Sequence, residues 1–335
     1  MQLRSVAPVW LAVMACSAPT GPVEPLVPEG DRVSLAGHVE VWVEPDDRPR
    51  SAREVLARED FRPTDRHHLS FGITDRAHWL RFTVDAPEPG LLAIEYPPLD
   101  LAELHRVEGD GFDVQRAGDA VPHGSWPRDS LGPTFEAPEG RHRYLLRVSS
   151  TSPLEVPLRW STQAAYARVE RVDAAWHWAL FGLLGGLALY NLFLFVSLRD
   201  RSYLWYVLYV GSVGLLSATH SGLGFQHLWP RATWWNSVGT VVLIGTSAFF
   251  MVGFTSTFLS LRRHLPRAEQ ALQWIAGAVL GFILLTPLFF GALWQMSGAV
   301  FVLAILVFTV ALGVRRWRDG FSPARWFVLS YGALA

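Results

Sequence analysis

The first half of the chain alternates apolar and polar positions in short segments. HWLRFTVDA at 78–86 and HRYLLRVSS at 142–150 show this period of two most clearly, and clusters of Pro, Gly and Asp separate them from their neighbours. Successive side chains of a strand point to opposite faces of a sheet, so the alternation predicts strands with one buried face. Residues 31–165 are therefore predicted to form an all-β sandwich or jelly roll, with one helical segment at 51–59. The remaining predicted strands are 38–44, 91–96, 102–107 and 154–160.

The second half consists of long apolar runs that contain no Asp, Glu or Arg. A membrane-spanning helix needs about 20 such residues to cross about 30 Å of hydrocarbon, and helices satisfy their own backbone there. We predict five complete spans and a sixth that the end of the chain interrupts, so we expect the chain to be a fragment. A juxtamembrane connector at 166–175 is predicted to join the two parts. The membrane domain, 176–335, comprises 176–196, 203–223, 237–259, 271–290, 298–314 and the interrupted 326–335.

Arginine placement between the runs predicts how the chain sits in the lipid bilayer. The odd-numbered loops hold nine arginines and the even-numbered loops hold one, and positive charge marks the cytoplasmic side. The β domain is therefore predicted to lie outside, with residues 16–175 extracytoplasmic. The net charge is −8 up to Ala175 and +7 beyond it, and the chain has no lysine. The arginines on which the orientation mainly depends are Arg199, Arg201, Arg262, Arg263, Arg315 and Arg316.

The first residues have the pattern of an export signal. One basic residue precedes a short apolar run, and Val13 and Ala15 occupy the small-residue positions of a cleavage site. Residues 1–15 are predicted to be a signal peptide, followed by a Pro-rich linker at 16–30. Val13 to Cys16 also resembles a lipobox, so either ordinary cleavage or lipidation of Cys16 is expected. Because Cys16 is the single cysteine, an internal disulfide is excluded.

The β region offers a few candidate binding residues. Trp79 and Arg81 are two positions apart and so share one face of a predicted strand. With Asp100 or Asp75, Arg81 would bind a polar ligand on a concave sheet. In the alternative interpretation, Trp79 belongs to the core and Arg81 pairs with a neighbouring acid. No motif predicts a catalytic, metal, cofactor or nucleic-acid site.

Polar and small residues inside the first span carry further predictions. Asn191 needs a hydrogen-bond partner in lipid, so we predict that it faces the bundle and bonds to another helix. Gly182, Gly185 and Gly186 are predicted to let a second helix approach closely. Asp200, in the turn after this span, either caps the next helix or pairs with an arginine.

Several short motifs occur in an order that resembles one known family. Tyr190-Asn191 in the first span precedes an Arg-Asp-Arg-x-Tyr turn at 199–203, and GFQHLWP follows at 224–230. These residues resemble the bacterial seven-transmembrane receptors with diverse intracellular signalling modules. The β region resembles the second type of extracellular domain of that family, a jelly roll. The motifs that carry this second resemblance are at 72–74, 79–82, 96–100 and 144–148.

The resemblance implies a multi-pass receptor in the bacterial inner membrane. Its outer domain would sense a small molecule, for which a carbohydrate is one expectation. Its helices would relay the signal to a cytoplasmic kinase, cyclase or phosphatase that this chain lacks, so the chain itself is predicted not to be an enzyme. A second copy is a candidate partner. The alternative function is a membrane-anchored binding module or a transporter subunit, although spans without ionisable groups argue against ion-coupled transport.

Overall fold

A computed structural model describes residues 23–45, 48–64, 69–74, 76–151, 153–289 and 291–332. The predicted signal peptide, Cys16 and Asp75 lie outside these described residues.

The outer part of the chain is an all-β domain, as predicted. A six-stranded antiparallel sheet has the order β3-β2-β5-β10-β7-β8, and a four-stranded sheet has the order β1-β12-β6-β9, while β11 pairs with β4. Alternation in the sequence had revealed neither β8 nor β9. The strands are β1 Arg32–Ser34, β2 Glu40–Val43, β3 Arg62–Pro63, β4 Ser70–Gly72, β5 His78–Ala86, β6 Gly90–Ile94, β7 Leu101–Glu108, β8 Gly111–Ala117, β9 Thr134–Ala137, β10 Gly140–Ser149, β11 Leu154–Glu155 and β12 Leu158–Thr162.

The two faces of the six-stranded sheet are covered differently. Alternate residues such as Leu80 and Leu146 enter the main core between the sheets. The other face carries a second, smaller core, in which Trp79 and Leu145 pack beneath helix α1 (Ala52–Leu56). Helix α1 is shorter than its predicted extent, 51–59. The helix ends at Leu56, and the following residues bring Phe61 into the same small core.

The β domain passes into the first long helix without a flexible connector. Thr162 is the last residue of β12, and its side chain also accepts the N-capping hydrogen bond from Ala165 N, at 3.2 Å. Helix α2 therefore includes the connector predicted at 166–175 as well as the first span. The helices are α2 Gln163–Leu198, α3 Arg201–His220, α4 Thr233–Phe258, α5 Leu261–His264, α6 Pro266–Phe289, α7 Ala292–Arg318 and α8 Ala324–Gly332.

Among the described residues, four helices are long and apolar enough to cross a membrane: α2, α4, α6 and α7. The span predicted at 203–223 is a helix of 20 residues, α3, but it is not among these four. Tyr and Trp side chains in its first half lower its hydropathy. It packs against both α2 and α4, and 20 helical residues rise about 30 Å, so it lies alongside them as an integral part of the bundle.

The structure resolves how the turn after α2 is built. Arg199 adopts the left-handed conformation, with φ of 56°, and ends α2. The carboxylate of Asp200 then accepts a hydrogen bond from Ser202 N at 2.8 Å and so caps α3. Of the two predicted roles for Asp200, the structure supports the helix cap.

Candidate functional site

The residues predicted to bind a ligand do not form one site. The Trp79 side chain is 1% exposed, and its indole N–H donates to the carboxylate of buried Glu44 at 2.7 Å. Of the two predicted roles for Trp79, the structure therefore supports the core residue and not the ligand contact. Its polar edge is satisfied inside the small core.

Arg81 lines an open groove on the same face of the sheet. Its Nε donates to Glu40 Oε2 at 2.6 Å and its guanidinium donates to the Arg58 carbonyl at 3.1 Å. The guanidinium also lies 4.1 Å from the ring centroid of Phe61. Arg81 pairs with an acid, as the structural interpretation predicted, and it also remains at the surface of a groove of about 510 Å³.

Asp100 lies near the opposite end of the sheet. Its carboxylate accepts hydrogen bonds from the N–H and hydroxyl of Thr151 at 2.8 and 2.7 Å. In the strand register, Leu145 of β10 lies opposite Arg81 of β5, whereas Ser149 of β10 lies opposite Leu101 of β7. Leu101 is the residue after Asp100. Four residues of strand correspond to about 14 Å. The structure therefore does not bring Asp100 and Arg81 together.

The outer loop between α3 and α4 enters the β domain. Phe225 is 5% exposed and belongs to the main core of the sandwich. Its ring centroid lies 5.6 Å from that of His123 and 5.9 Å from that of Trp126. The helix-connecting loop and the β domain therefore share one hydrophobic core.

Polar contacts hold this loop, which we call the docking loop (221–230), from both sides. Toward the β domain, His123 N donates to the Pro230 carbonyl at 3.0 Å and Gln226 donates to Asp129 at 2.6 Å. Toward the bundle, Trp229 donates to Asn236 of α4 at 2.8 Å. The docking loop is therefore a fixed link between the two domains.

Gly222 permits this close approach. Its φ of +79° is unfavourable for other residues, and a Cβ atom there would lie 2.3 Å from the Leu131 carbonyl oxygen. Any side chain at this position would push the loop away from the β domain.

A second contact joins the segment that follows strand β10 to helix α7. Gln295 donates to the Thr151 carbonyl at 3.0 Å, and Thr151 is held in turn by Asp100. Asp100, predicted as a ligand residue, instead fixes the segment after β10 that meets the membrane helices.

Asp119 is a buried acid beside this junction that sequence analysis missed. It is 8% exposed, and among the described residues its Oδ1 has no hydrogen-bond partner. Burial, together with the nearby negative charge of Asp100, raises the pKa of Asp119 to about 8. Trp126, which contacts Phe225, donates to the Gly118 carbonyl next to Asp119 at 3.2 Å. Asp119 therefore lies beside the backbone to which Trp126, a contact of the docking loop, is bonded.

The polar and small residues of α2 differ from their predicted roles. The Asn191 amide donates to the Leu187 carbonyl of its own helix at 2.8 Å, which corrects the predicted bond to another helix. In lipid, a local carbonyl satisfies the donor without any neighbour. Among the described residues, nothing lies within 4 Å of a Cβ built on Gly182, Gly185 or Gly186, so the predicted close helix approach is not made here.

Arg316 has a structural role beyond its predicted contribution to orientation. Its side chain is 6% exposed, and its Nε donates to the Leu259 carbonyl at 3.1 Å, at the end of α4. The carbonyls at a helix end lack intrahelical partners and carry partial negative charge. Arg316 therefore caps α4 from α7. The other loop arginines, such as Arg262 and Arg315, are exposed at this same end of the bundle, far from the β domain.

We expect replacement of Arg316 by leucine to loosen this end of the bundle. Losing a buried, charge-assisted hydrogen bond costs about 2 kcal/mol, so amide exchange in residues 255–261 should become about 30-fold faster. Arg318→Leu is the matched control because Arg318 lies two residues after Arg316 in the same helix and its side chain is exposed. Equal exchange in the two variants would contradict the capping role.

Sequence similarity agrees with this two-part organisation. A family model described as 7TM diverse intracellular signalling matches residues 173–335. A second, described as 7TMR-DISM extracellular 2, matches residues 36–162. No curated protein matches the chain. The extracellular match ends at residue 162, immediately before α2, and the 7TM match begins at residue 173 within α2.

Proposed function

The chain belongs to the family of seven-transmembrane receptors with diverse intracellular signalling, and from this premise we propose that its β domain senses a small extracytoplasmic ligand. The family supports a membrane signalling role for a multi-pass protein with an extracellular domain. We propose further that the helices relay ligand binding across a bacterial inner membrane to a cytoplasmic output module. In this proposal the chain itself senses and relays without catalysing a reaction.

The shared core around Phe225 is the observation that supports this function best. A ligand transmits a signal only if it binds one packing arrangement better than another. The buried ring connects the β domain with the ends of α3 and α4. Any ligand that changes the packing of the sandwich therefore acts on the helices as well.

Amide hydrogen exchange on the full chain in lipid nanodiscs tests the relay. A panel of sugars and metabolites is first screened for an increase in thermal stability. With a compound that binds, we expect exchange to change in the docking loop and at the start of α7. Binding that leaves both regions unchanged would contradict signalling and favour a membrane-anchored binding module.

Replacing Gln295 by methionine should weaken the second contact between the domains. The variant loses the hydrogen bond to Thr151, worth about 1 kcal/mol, so exchange at residues 149–151 should become about fivefold faster. The control is Gln273→Met, which removes a bond to Glu269 near the other end of the bundle. If the control accelerates exchange at 149–151 as much as Gln295→Met does, the contact has no specific role.

A further inference from the structure

The groove beside Arg81 has a composition suited to a particular class of ligand. Its volume is about 510 Å³, and strands β2, β5 and β10 form its floor. The polar side chains that line it are Glu40, Arg81, Thr83, Arg141 and Arg143. Three guanidinium groups therefore face a single carboxylate.

Two of these arginines are free to bind a partner. Among the described residues, Arg141 and Arg143 have neither a hydrogen bond nor an ion pair, whereas Glu40 is already paired with Arg81. Asp85 lies opposite Arg141 in the strand register but makes no ion pair with it. The positive charge of this surface is therefore not neutralised by the protein.

The arginines also disfavour one another's charge. Partial burial lowers the pKa of Arg143, the neighbouring positive charge of Arg81 lowers it further, and Glu40 opposes the shift. An anion placed between these side chains would relieve this repulsion. Guanidinium groups bind carboxylate, phosphate and sulfate through pairs of parallel hydrogen bonds.

We propose that this surface, the oxyanion groove (Glu40, Arg81, Thr83, Arg141 and Arg143), binds the carboxylate, phosphate or sulfate group of a small soluble ligand. The inference rests on the proposed sensing function and names the ligand class of the same domain. Arg141 and Arg143 supply the primary contacts, and the Arg81–Glu40 pair fixes one wall.

The position of the groove favours a dissolved ligand over a headgroup of the surrounding lipid. Six residues of β10 separate Arg143 from Ser149, which corresponds to about 20 Å. Just beyond Ser149, Thr151 bonds to Gln295 at the outer end of α7. The groove therefore opens far above the membrane, and strand β10 connects it directly to the contact with α7.

Binding of three oxyanions to the full chain in nanodiscs of neutral lipid tests the proposal. The probes are inorganic phosphate, sulfate and galacturonate, with galactose as the uncharged match of galacturonate, and calorimetry measures the dissociation constant. We expect at least one of the three oxyanions to bind. If galacturonate binds, its dissociation constant should be more than tenfold lower than that of galactose. Replacing both Arg141 and Arg143 by glutamine should raise the dissociation constant of that oxyanion at least tenfold. Arg116→Gln is the control because Arg116 is exposed and already pairs with Glu103.

The possible outcomes distinguish failure of the oxyanion groove from failure of the proposed sensing and relay function. Failure of all three oxyanions to bind, or equal binding by the double variant, overturns the oxyanion groove. If galactose binds equally well to the native protein and to the double variant, the domain still senses a ligand, and only the assignment of the oxyanion groove is wrong. If an oxyanion binds through the arginines without altering exchange in the docking loop, the groove stands and the relay fails.

Discussion

Replacing Phe225 by alanine should destabilise the β domain, although Phe225 belongs to the docking loop between the membrane helices α3 and α4. The ring fills part of the sandwich core between His123 and Trp126. Truncating a buried phenylalanine typically costs about 3–5 kcal/mol through lost burial and the cavity that remains. Because the docking loop can partly relax, we expect about 3 kcal/mol, measured as the free energy of opening of β7 and β10 by amide exchange in the full chain.

Leu228→Ala is the matched control for this prediction. Leu228 lies in the same loop but is 60% exposed, so its truncation should change the opening free energy by less than about 0.5 kcal/mol. Similar effects of the two substitutions would mean that Phe225 does not contribute to the core of the β domain.

Replacing Asp119 by asparagine should stabilise the protein increasingly as the pH rises. The pKa of Asp119 in the folded protein is raised to about 8, above the unfolded value of about 3.9. Between these values the unfolded chain releases a proton that the folded protein retains, so rising pH favours unfolding. Asparagine resembles the protonated acid and removes this effect. A difference of one pKa unit between the two states corresponds to about 1.4 kcal/mol, so we expect little difference from the native protein at pH 4 and a gain on the order of 5 kcal/mol at pH 9.

Melting temperatures at pH 5, 7 and 9 test this expectation. Asp113→Asn serves as the control because Asp113 is a more exposed carboxylate in β8, paired with Arg106. A difference between Asp119→Asn and the native protein that stays constant or falls with pH would contradict the buried, protonated state. If the prediction holds, alkaline pH should also loosen the docking loop.

The regular elements could be predicted because their patterns are local. Alternation identified the long central strands β5 and β10, and hydrophobic length identified the helices. Strand β9 was missed because its segment, TFEA, is too short to show a period. Helix α2 began earlier than predicted because hydropathy marks the lipid-facing part of a helix and not its capped start at Thr162.

The candidate site could not be predicted because its residues are brought together from distant segments. Phe225 resembles any apolar loop residue until the β domain lies beside it, and Gln295 contacts a residue 144 positions away. Asp119 stands in a short turn-like segment, GDAVP, and acids in such loops are usually solvated. Arg316 was predicted only as one of the loop arginines that set the orientation, because its bond to Leu259 depends on the packing of α7 against α4.

The central claim, that the docking loop and the β domain share one core, is tested most directly by a double-mutant cycle. Phe225→Ala, Trp126→Ala and the double variant are compared by the opening free energy of β10 in the full chain. Residues in contact usually couple by about 0.5–3 kcal/mol, and we predict at least 1 kcal/mol for this pair. Additive effects, within about 0.5 kcal/mol, would contradict the claim.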